Sequence, residues 1–96
     1  MTVHQDYCPL CCTKVLSDDV DNKNSQYFDC EYCKDVLVIG RAMREPIPEG
    51  KKLAWAKLSA ALNDDQFLLI NYVQHEHKVS IESKDDLPKF GVNSNI

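Results

Sequence analysis

Two matched pairs of cysteines are the residues of this 96-residue chain that most clearly could do chemistry. The first pair is Cys8 and Cys11, and the second, after eighteen intervening residues, is Cys30 and Cys33. A Cys-x-x-Cys segment can turn so that both sulfurs face one point, and two such turns together present four thiolates in a tetrahedron. This spacing is typical of a structural zinc site. We therefore predict one Zn²⁺ per chain.

Two other interpretations of the cysteines stay open. A disulfide framework would need an oxidising compartment, and an odd total of five cysteines does not favour one. Iron bound as in rubredoxin would use the same four thiolates, although the rest of the chain does not resemble rubredoxin. Because the ligands would be the same, iron is the alternative metal.

Short strands would have to hold the two cysteine pairs in place. Residues 14–16 and 26–29 are predicted as strands, and the polar residues 17–25 between them favour a hairpin tip. A run of β-branched residues at 35–40, directly after the second pair, predicts a third strand.

With these elements, residues 7–40 resemble a four-cysteine zinc ribbon. The resemblance covers about a third of the chain and implies three short antiparallel strands around one metal site. It leaves the function open, because ribbons serve transcription, RNA handling, protein docking and enzyme subunits alike. Zinc ribbons commonly carry a glycine after the second cysteine of each pair. Cys12 and Lys34 occupy those places here, so we expect strain or an unusual turn at Cys12.

Two prolines mark the predicted boundary of the ribbon. Pro46 and Pro48 lie within residues 41–50, which we interpret as a linker. The predicted domains are a zinc ribbon, residues 1–45, and a helical extension with a polar C-terminal tail, residues 46–96. A single cooperative unit is the alternative. The predicted fold class is small α+β.

Residues 49–62 predict a helix, because alanine and leucine dominate and no proline interrupts them. Trp55, Leu58 and Leu62 would form its apolar stripe.

Residues 64–77 predict a second helix, because Asn63 and Gln66 have the spacing of a capping box. The alternative is a strand over residues 67–73, where β propensity is high, paired with residues 78–82 in a short C-terminal hairpin. Residues 83–96 are expected to form an irregular polar tail.

The charge of the chain favours a protein partner over nucleic acid. Eleven Lys and Arg residues against fifteen Asp and Glu residues give a formal net charge of −4, whereas a phosphate backbone attracts basic surfaces. No stretch has the length of a membrane span, and the first fifteen residues lack the apolar run of a signal peptide. We expect no membrane contact and a cytoplasmic location.

Three further residues could carry chemistry. We interpret Cys12 as a non-ligating cysteine, with an alternative in which it replaces Cys11 as a ligand. His75 and His77 could chelate a metal if both lay on one strand. We interpret them as part of a solvent-exposed polar end.

Aromatic residues surround the second cysteine pair. Tyr27, Phe28 and Tyr32 could stack on unpaired bases, but Asp29 and Glu31 lie among them and would repel phosphates. We expect the aromatic side chains to pack the ribbon core or a protein interface.

The leading hypothesis is a non-enzymatic zinc-binding adaptor or regulatory protein that binds another protein. Four cysteines close the coordination sphere of the metal, and the sequence has no nucleophile elbow, phosphate loop or zinc-protease helix. One alternative is an accessory subunit of an enzyme. Another is a nucleic-acid-binding zinc ribbon in transcription control, with a contact edge formed by Lys14, Lys34, Arg41 and Arg44.

Overall fold

Six β-strands form one sheet in the computed structural model of the chain, and their order across the sheet is their order along the sequence. The structure describes residues 3–20 and 25–90, with the side chains of all of these except residues 3–5, 19, 20 and 43. The strands are β1 Val3–Tyr7, β2 Lys14–Val20, β3 Ser25–Cys30, β4 Lys34–Ile39, β5 Gln66–Val73 and β6 Glu76–Ser83.

Neighbouring strands are antiparallel except for β4 and β5, which are parallel. A parallel pair needs a crossover connection. Here the crossover contains a first 3₁₀ helix, Gly40–Met43, and helix α1, Glu49–Ala60. The pairing of β4 with β5 therefore crosses the boundary that we placed near residue 46, and the two-domain division stays a prediction.

Different elements cover the two faces of the sheet. The first core lies on the α1 side and includes Phe28, Val36, Val38, Leu68 and Ile70, with Trp55 and Ala56 of α1 packed against it. The second core lies on the opposite face, beneath a second 3₁₀ helix, Lys84–Phe90, and includes Leu37, Phe67, Leu69 and Leu87. Because both faces of β4 and β5 are buried, these strands read as continuous apolar runs.

The second helix predicted for residues 64–77 is wrong, and the alternative hairpin is correct. Residues 67–70 are all buried, as expected of a central strand that presents alternate side chains to two covered faces. Gln74 and His75 have φ angles of 52° and 66°, as in a two-residue hairpin turn between β5 and β6. The backbone amide of Asn63 does donate to Gln66 Oε1 at 3.1 Å, but within a turn that leads into a strand.

Helix α1 occupies most of the predicted range 49–62, but its buried face differs from the predicted stripe. Leu58 is 38% exposed, whereas Ser59 is fully buried. Trp55 is partly buried as predicted, and Leu62 is buried beyond the end of the helix. None of the helices in the described part of the chain has the length and apolar character to cross a bilayer.

Regular structure also covers residues before the first cysteine pair and much of the tail that we expected to be irregular. Residues 3–7 form β1, a fourth strand where the ribbon resemblance implied three. The expected tail begins with the second 3₁₀ helix, in which Leu87 is buried and Phe90 packs edge-on against Phe67, with 6.1 Å between ring centroids. The hairpin tip predicted for residues 17–25 is shorter than expected, because residues 17–20 belong to β2 and Ser25 to β3. Residues 21–24 and the tail residues 91–96 lie outside the described ranges.

Replacing Leu37 with alanine tests the two-sided core. The Leu37 side chain is fully buried in the second core. Its removal leaves a cavity, so we expect the free energy of unfolding to fall by about 3 kcal/mol. The matched control Leu53→Ala alters a side chain that is 64% exposed and should change it by less than about 0.5 kcal/mol. Urea titrations measure both, and equal losses would contradict the core position of Leu37.

Candidate metal centre

The four cysteines predicted as metal ligands come together in the structure. Their sulfur atoms all lie within 4.8 Å of one another, and Cys11 Sγ lies 3.5 Å from Cys30 Sγ. Sulfurs that each lie about 2.3 Å from a tetrahedral zinc are about 3.8 Å apart, so the four thiols fit a single ion. Cys8, Cys30 and Cys33 are buried, whereas Cys11 is exposed. The site therefore opens to solvent at Cys11.

Each cysteine pair sits in the same kind of turn, here called the first knuckle (residues 8–12) and the second knuckle (residues 30–34). Cys12 and Lys34, which follow the pairs, have φ angles of 61° and 62°. A left-handed conformation costs a non-glycine residue about 1–2 kcal/mol. The strain expected at Cys12 from the missing glycine is thus present, and Lys34 repeats it in the second knuckle. The two turns lead the chain into β2 and β4.

Backbone amides of the knuckles point at the sulfurs. The Cys33 amide donates to Cys30 Sγ at 3.3 Å, and the Cys11 and Leu10 amides donate to the Cys8 sulfur. In the first knuckle, the Cys12 amide also donates to the Cys8 carbonyl oxygen at 3.0 Å, and the Cys8 amide donates to the Thr13 carbonyl oxygen at 2.8 Å. The amides bonded to sulfur stabilise negative charge on the sulfurs, and the amides bonded to carbonyl oxygens stabilise the turn.

Burial keeps two of the thiols protonated until a cation replaces their protons. It raises the pKa of Cys8 to about 12 against the opposing amide hydrogen bonds. Burial, followed by the negative charge of Cys8, also raises the pKa of Cys33 well above its ordinary value. At Cys11 the effect of burial is outweighed by hydrogen bonds from Thr13 and the neighbouring thiols, which lower the pKa to about 7. The site can thus take up a divalent cation by releasing protons.

The end of α1 is hydrogen-bonded to the second knuckle. The buried Ser59 hydroxyl donates to the carbonyl oxygen of Cys33, and the Lys34 ammonium group donates to the carbonyl oxygen of Leu62. Sequence reasoning missed both contacts. The available signal was a serine among the alanines of α1, at a position where a polar side chain needs a partner if it is buried.

The two histidines do not form a chelating pair. His75 is exposed in the hairpin turn, as expected, but His77 is only 4% exposed. His77 Nε2 lies 3.3 Å from the Ala42 carbonyl oxygen and 3.1 Å from that of Glu45. Both partners are acceptors, so Nε2 carries the proton. The prediction of a solvated end is therefore wrong for His77, which ties β6 to the crossover.

Among the side chains that the structure describes, the group able to hold a metal contains neither of these histidines nor the exposed Cys12.

The aromatic residues near the second knuckle divide into core and surface positions. Phe28 is buried in the first core, and Tyr27 packs partly buried against the second core. Tyr32 is 63% exposed, and so is Tyr7, directly before the first knuckle. Two exposed aromatic side chains therefore border the candidate metal centre.

Two residues of the predicted nucleic-acid contact edge have partners within the protein. Lys34 donates to Leu62. The Arg41 guanidinium lies 5.3 Å from the centroid of the Tyr72 ring, and its Nε lies 3.7 Å from a carboxylate oxygen of Glu45. Only part of the predicted edge is therefore available for phosphates.

The fold and site together define a small protein with one six-stranded sheet, short helices and a candidate four-cysteine metal centre. Comparison of the chain with protein-family models, curated proteins and solved structures finds no match to any of them.

A pair of cysteine variants tests the ligand set. We expect Cys30→Ser to lose the ion, because a serine hydroxyl does not replace a buried thiolate. Cys12→Ser is the matched control and should retain one ion per chain, since Cys12 lies outside the group. Elemental analysis of the purified variants measures this. Metal loss in Cys12→Ser, or two ions per chain in the unmodified protein, would contradict the assignment.

Proton release gives a second test. At pH 6 the thiols of Cys8, Cys11 and Cys33 all hold protons in the metal-free site, because their pKa values are about 12, about 7 and raised, respectively. Zinc binding should therefore release at least three protons, and affinity should fall about 1,000-fold or more per unit decrease in pH. Above pH 7, where Cys11 is ionised, zinc binding should release at least two protons. Calorimetry in buffers of different ionisation enthalpy counts the protons, and release of fewer than two would contradict this picture.

Proposed function

We propose that the chain is a non-enzymatic zinc-binding adaptor or regulatory protein that acts by binding another protein. The observation that carries this proposal is the convergence of four cysteine sulfurs within 4.8 Å of one another. Four thiolates in a tetrahedral set suit zinc, and they leave no position open for a substrate or an activated water. A closed site of this kind stabilises the fold.

The identity and number of the metal ions are part of the proposal. One zinc ion per chain is expected, and rubredoxin-like iron is the alternative for the same thiolate set. The thiols would have to stay reduced for either metal, and we therefore propose a reducing compartment such as the cytoplasm. An iron-loaded protein would absorb visible light strongly, whereas a zinc-loaded protein is colourless, so a visible spectrum beside elemental analysis distinguishes them.

The surface beside the metal centre supports a protein partner. Tyr7 and Tyr32 are each 63% exposed, and tyrosine is enriched where proteins bind one another. Tyr7 precedes ligand Cys8, and Tyr32 lies between the ligands of the second knuckle. A rigid, metal-held pair of knuckles would present both rings at little entropic cost.

The charge near these rings supports the same partner class. Glu31 lies beside Tyr32, Asp29 precedes the second pair, and the chain carries a formal net charge of −4. Four thiolates and one Zn²⁺ would make this charge more negative by two. An acidic surface disfavours phosphates, so nucleic-acid binding is the second candidate, resting on the exposed aromatic rings and on Lys14 and Arg44 of the predicted edge. If the protein partner is an enzyme, the chain is its accessory subunit.

An affinity experiment tests the proposal. The tagged, zinc-loaded chain should retain a partner from its native extract, and nuclease treatment should leave that partner bound. Tyr7→Ala and Tyr32→Ala should weaken retention by about tenfold each if the rings are anchors. Leu53→Ala, a matched loss of an exposed apolar side chain on α1, should not.

A partner that disappears on nuclease treatment would contradict the proposal. So would tight, steeply salt-dependent binding of the purified chain to DNA or RNA, since such dependence is the signature of phosphate contacts.

A further inference from the structure

Strand β6 forms one border of the sheet. Its inner edge pairs with β5 along all eight residues, Glu76–Ser83, and the described part of the chain places no strand on its outer edge. Proteins usually protect such an edge with a proline, a bulge, a very short strand or charged side chains. β6 has no proline and pairs without interruption, and its charged side chains are of both signs, Lys78 and Glu82 among them. Apart from the His77 carbonyl oxygen, which is bonded to Lys51, its outer edge can therefore accept another strand.

The backbone groups that face this edge can be identified. In a two-residue hairpin the flanking residues, Val73 and Glu76, exchange hydrogen bonds, so every second residue of β6 bonds to β5. The N–H and C=O groups of residues 77, 79, 81 and 83 consequently point outward. The structure supports this assignment, because the His77 carbonyl oxygen accepts a hydrogen bond from Lys51 Nζ of α1 at 3.2 Å.

The side chains of β6 differ between the two faces of the sheet. Val79 and Ile81 are paired with Ile70 and Leu68 of the first core, so they lie on the α1 side. Ile81 is 43% exposed. Lys78 and Glu82 alternate with them and lie on the opposite face, opposite Asn71 and Phe67. Strand β6 thus carries two apolar side chains, Val79 and Ile81, on one face and two side chains of opposite charge, Lys78 and Glu82, on the other.

We propose that β6 is a dimerisation edge, at which a second copy of this chain adds its own β6 in antiparallel orientation around a two-fold axis at Ser80. In this register Val79 lies opposite the partner's Ile81 and bonds to it through outward-facing backbone groups. Lys78 lies opposite the partner's Glu82. The two-fold axis repeats each pair, so the interface contains two apolar pairs and two ion pairs.

The sequence of β6 selects this register and favours a second copy as the occupant. A shift of two residues in one direction would place Glu76 opposite the partner's Glu82. A shift in the other direction would separate both Lys78–Glu82 pairs. A slip of one residue would bring side chains of different faces opposite each other. A strand that is complementary to itself in charge and in apolar contact at one register fits an isologous dimer. This inference is independent of the zinc-dependent partner proposed above.

Paired charge reversals test the register directly. The unmodified, zinc-loaded chain should sediment as a dimer, with twice the chain mass of 11.0 kDa, and dissociate on dilution. Lys78→Glu places two carboxylates opposite each other in both pairs, and Glu82→Lys does the same with two ammonium groups. Each variant alone should raise the dimer dissociation constant by about tenfold or more. An equimolar mixture of the two should dimerise again, because each pair then regains opposite charges.

The matched control is Lys57→Glu, which makes the same charge change at an exposed site on α1 and should leave the dimer unchanged. Sedimentation equilibrium measures all five samples. A monomeric unmodified chain at millimolar concentration would overturn the proposal. A dimer insensitive to both reversals would overturn the β6 interface, and a mixture that stays monomeric would overturn the register.

Discussion

Four cysteine sulfurs held within 4.8 Å of one another form the constraint on which the rest of the structure depends. As thiolates in a largely buried site they would repel one another strongly, and as thiols they would contribute only weak contacts. One divalent cation would resolve the conflict, because it could replace the protons and bind all four sulfurs. The two left-handed residues, Cys12 and Lys34, are understandable in this setting: the knuckle geometry that aims the sulfurs inward outweighs the cost of the backbone conformation.

The second knuckle connects the four cysteines to the rest of the fold. β4 begins at Lys34, so the strand that leaves the site is also the strand that pairs with β5. Two hydrogen bonds, from Ser59 to Cys33 and from Lys34 to Leu62, fasten the end of α1 to the same knuckle. The metal centre, β4, α1 and β5 therefore form a connected unit. In the proposed function, a partner that binds near the knuckles would contact a surface whose shape an ion would help to set.

The parts of the structure predicted correctly from sequence are those that local chemistry specifies. The spacing of the cysteines predicted the convergence of Cys8 with the other three, and the missing glycine predicted backbone strain at Cys12. The errors concern residues whose environment is set by distant parts of the chain. The hydrogen bond between Asn63 and Gln66 forms locally as in a capping box. The residues that follow form strand β5, because they occupy the buried central position between β4 and β6. His77 is buried because the crossover supplies two carbonyl acceptors, which no local pattern could reveal.

Backbone amide NMR of the isotopically labelled chain, with and without a chelator, tests most directly the claim that one metal ion organises both knuckles and the helix fastened to them. The account predicts that chelation removes the folded-state resonances of residues 8–12 and 30–34 together with those of residues 59–62. One equivalent of Zn²⁺ should restore all of them. A chelated protein that keeps the folded-state resonances of both knuckles would contradict the account.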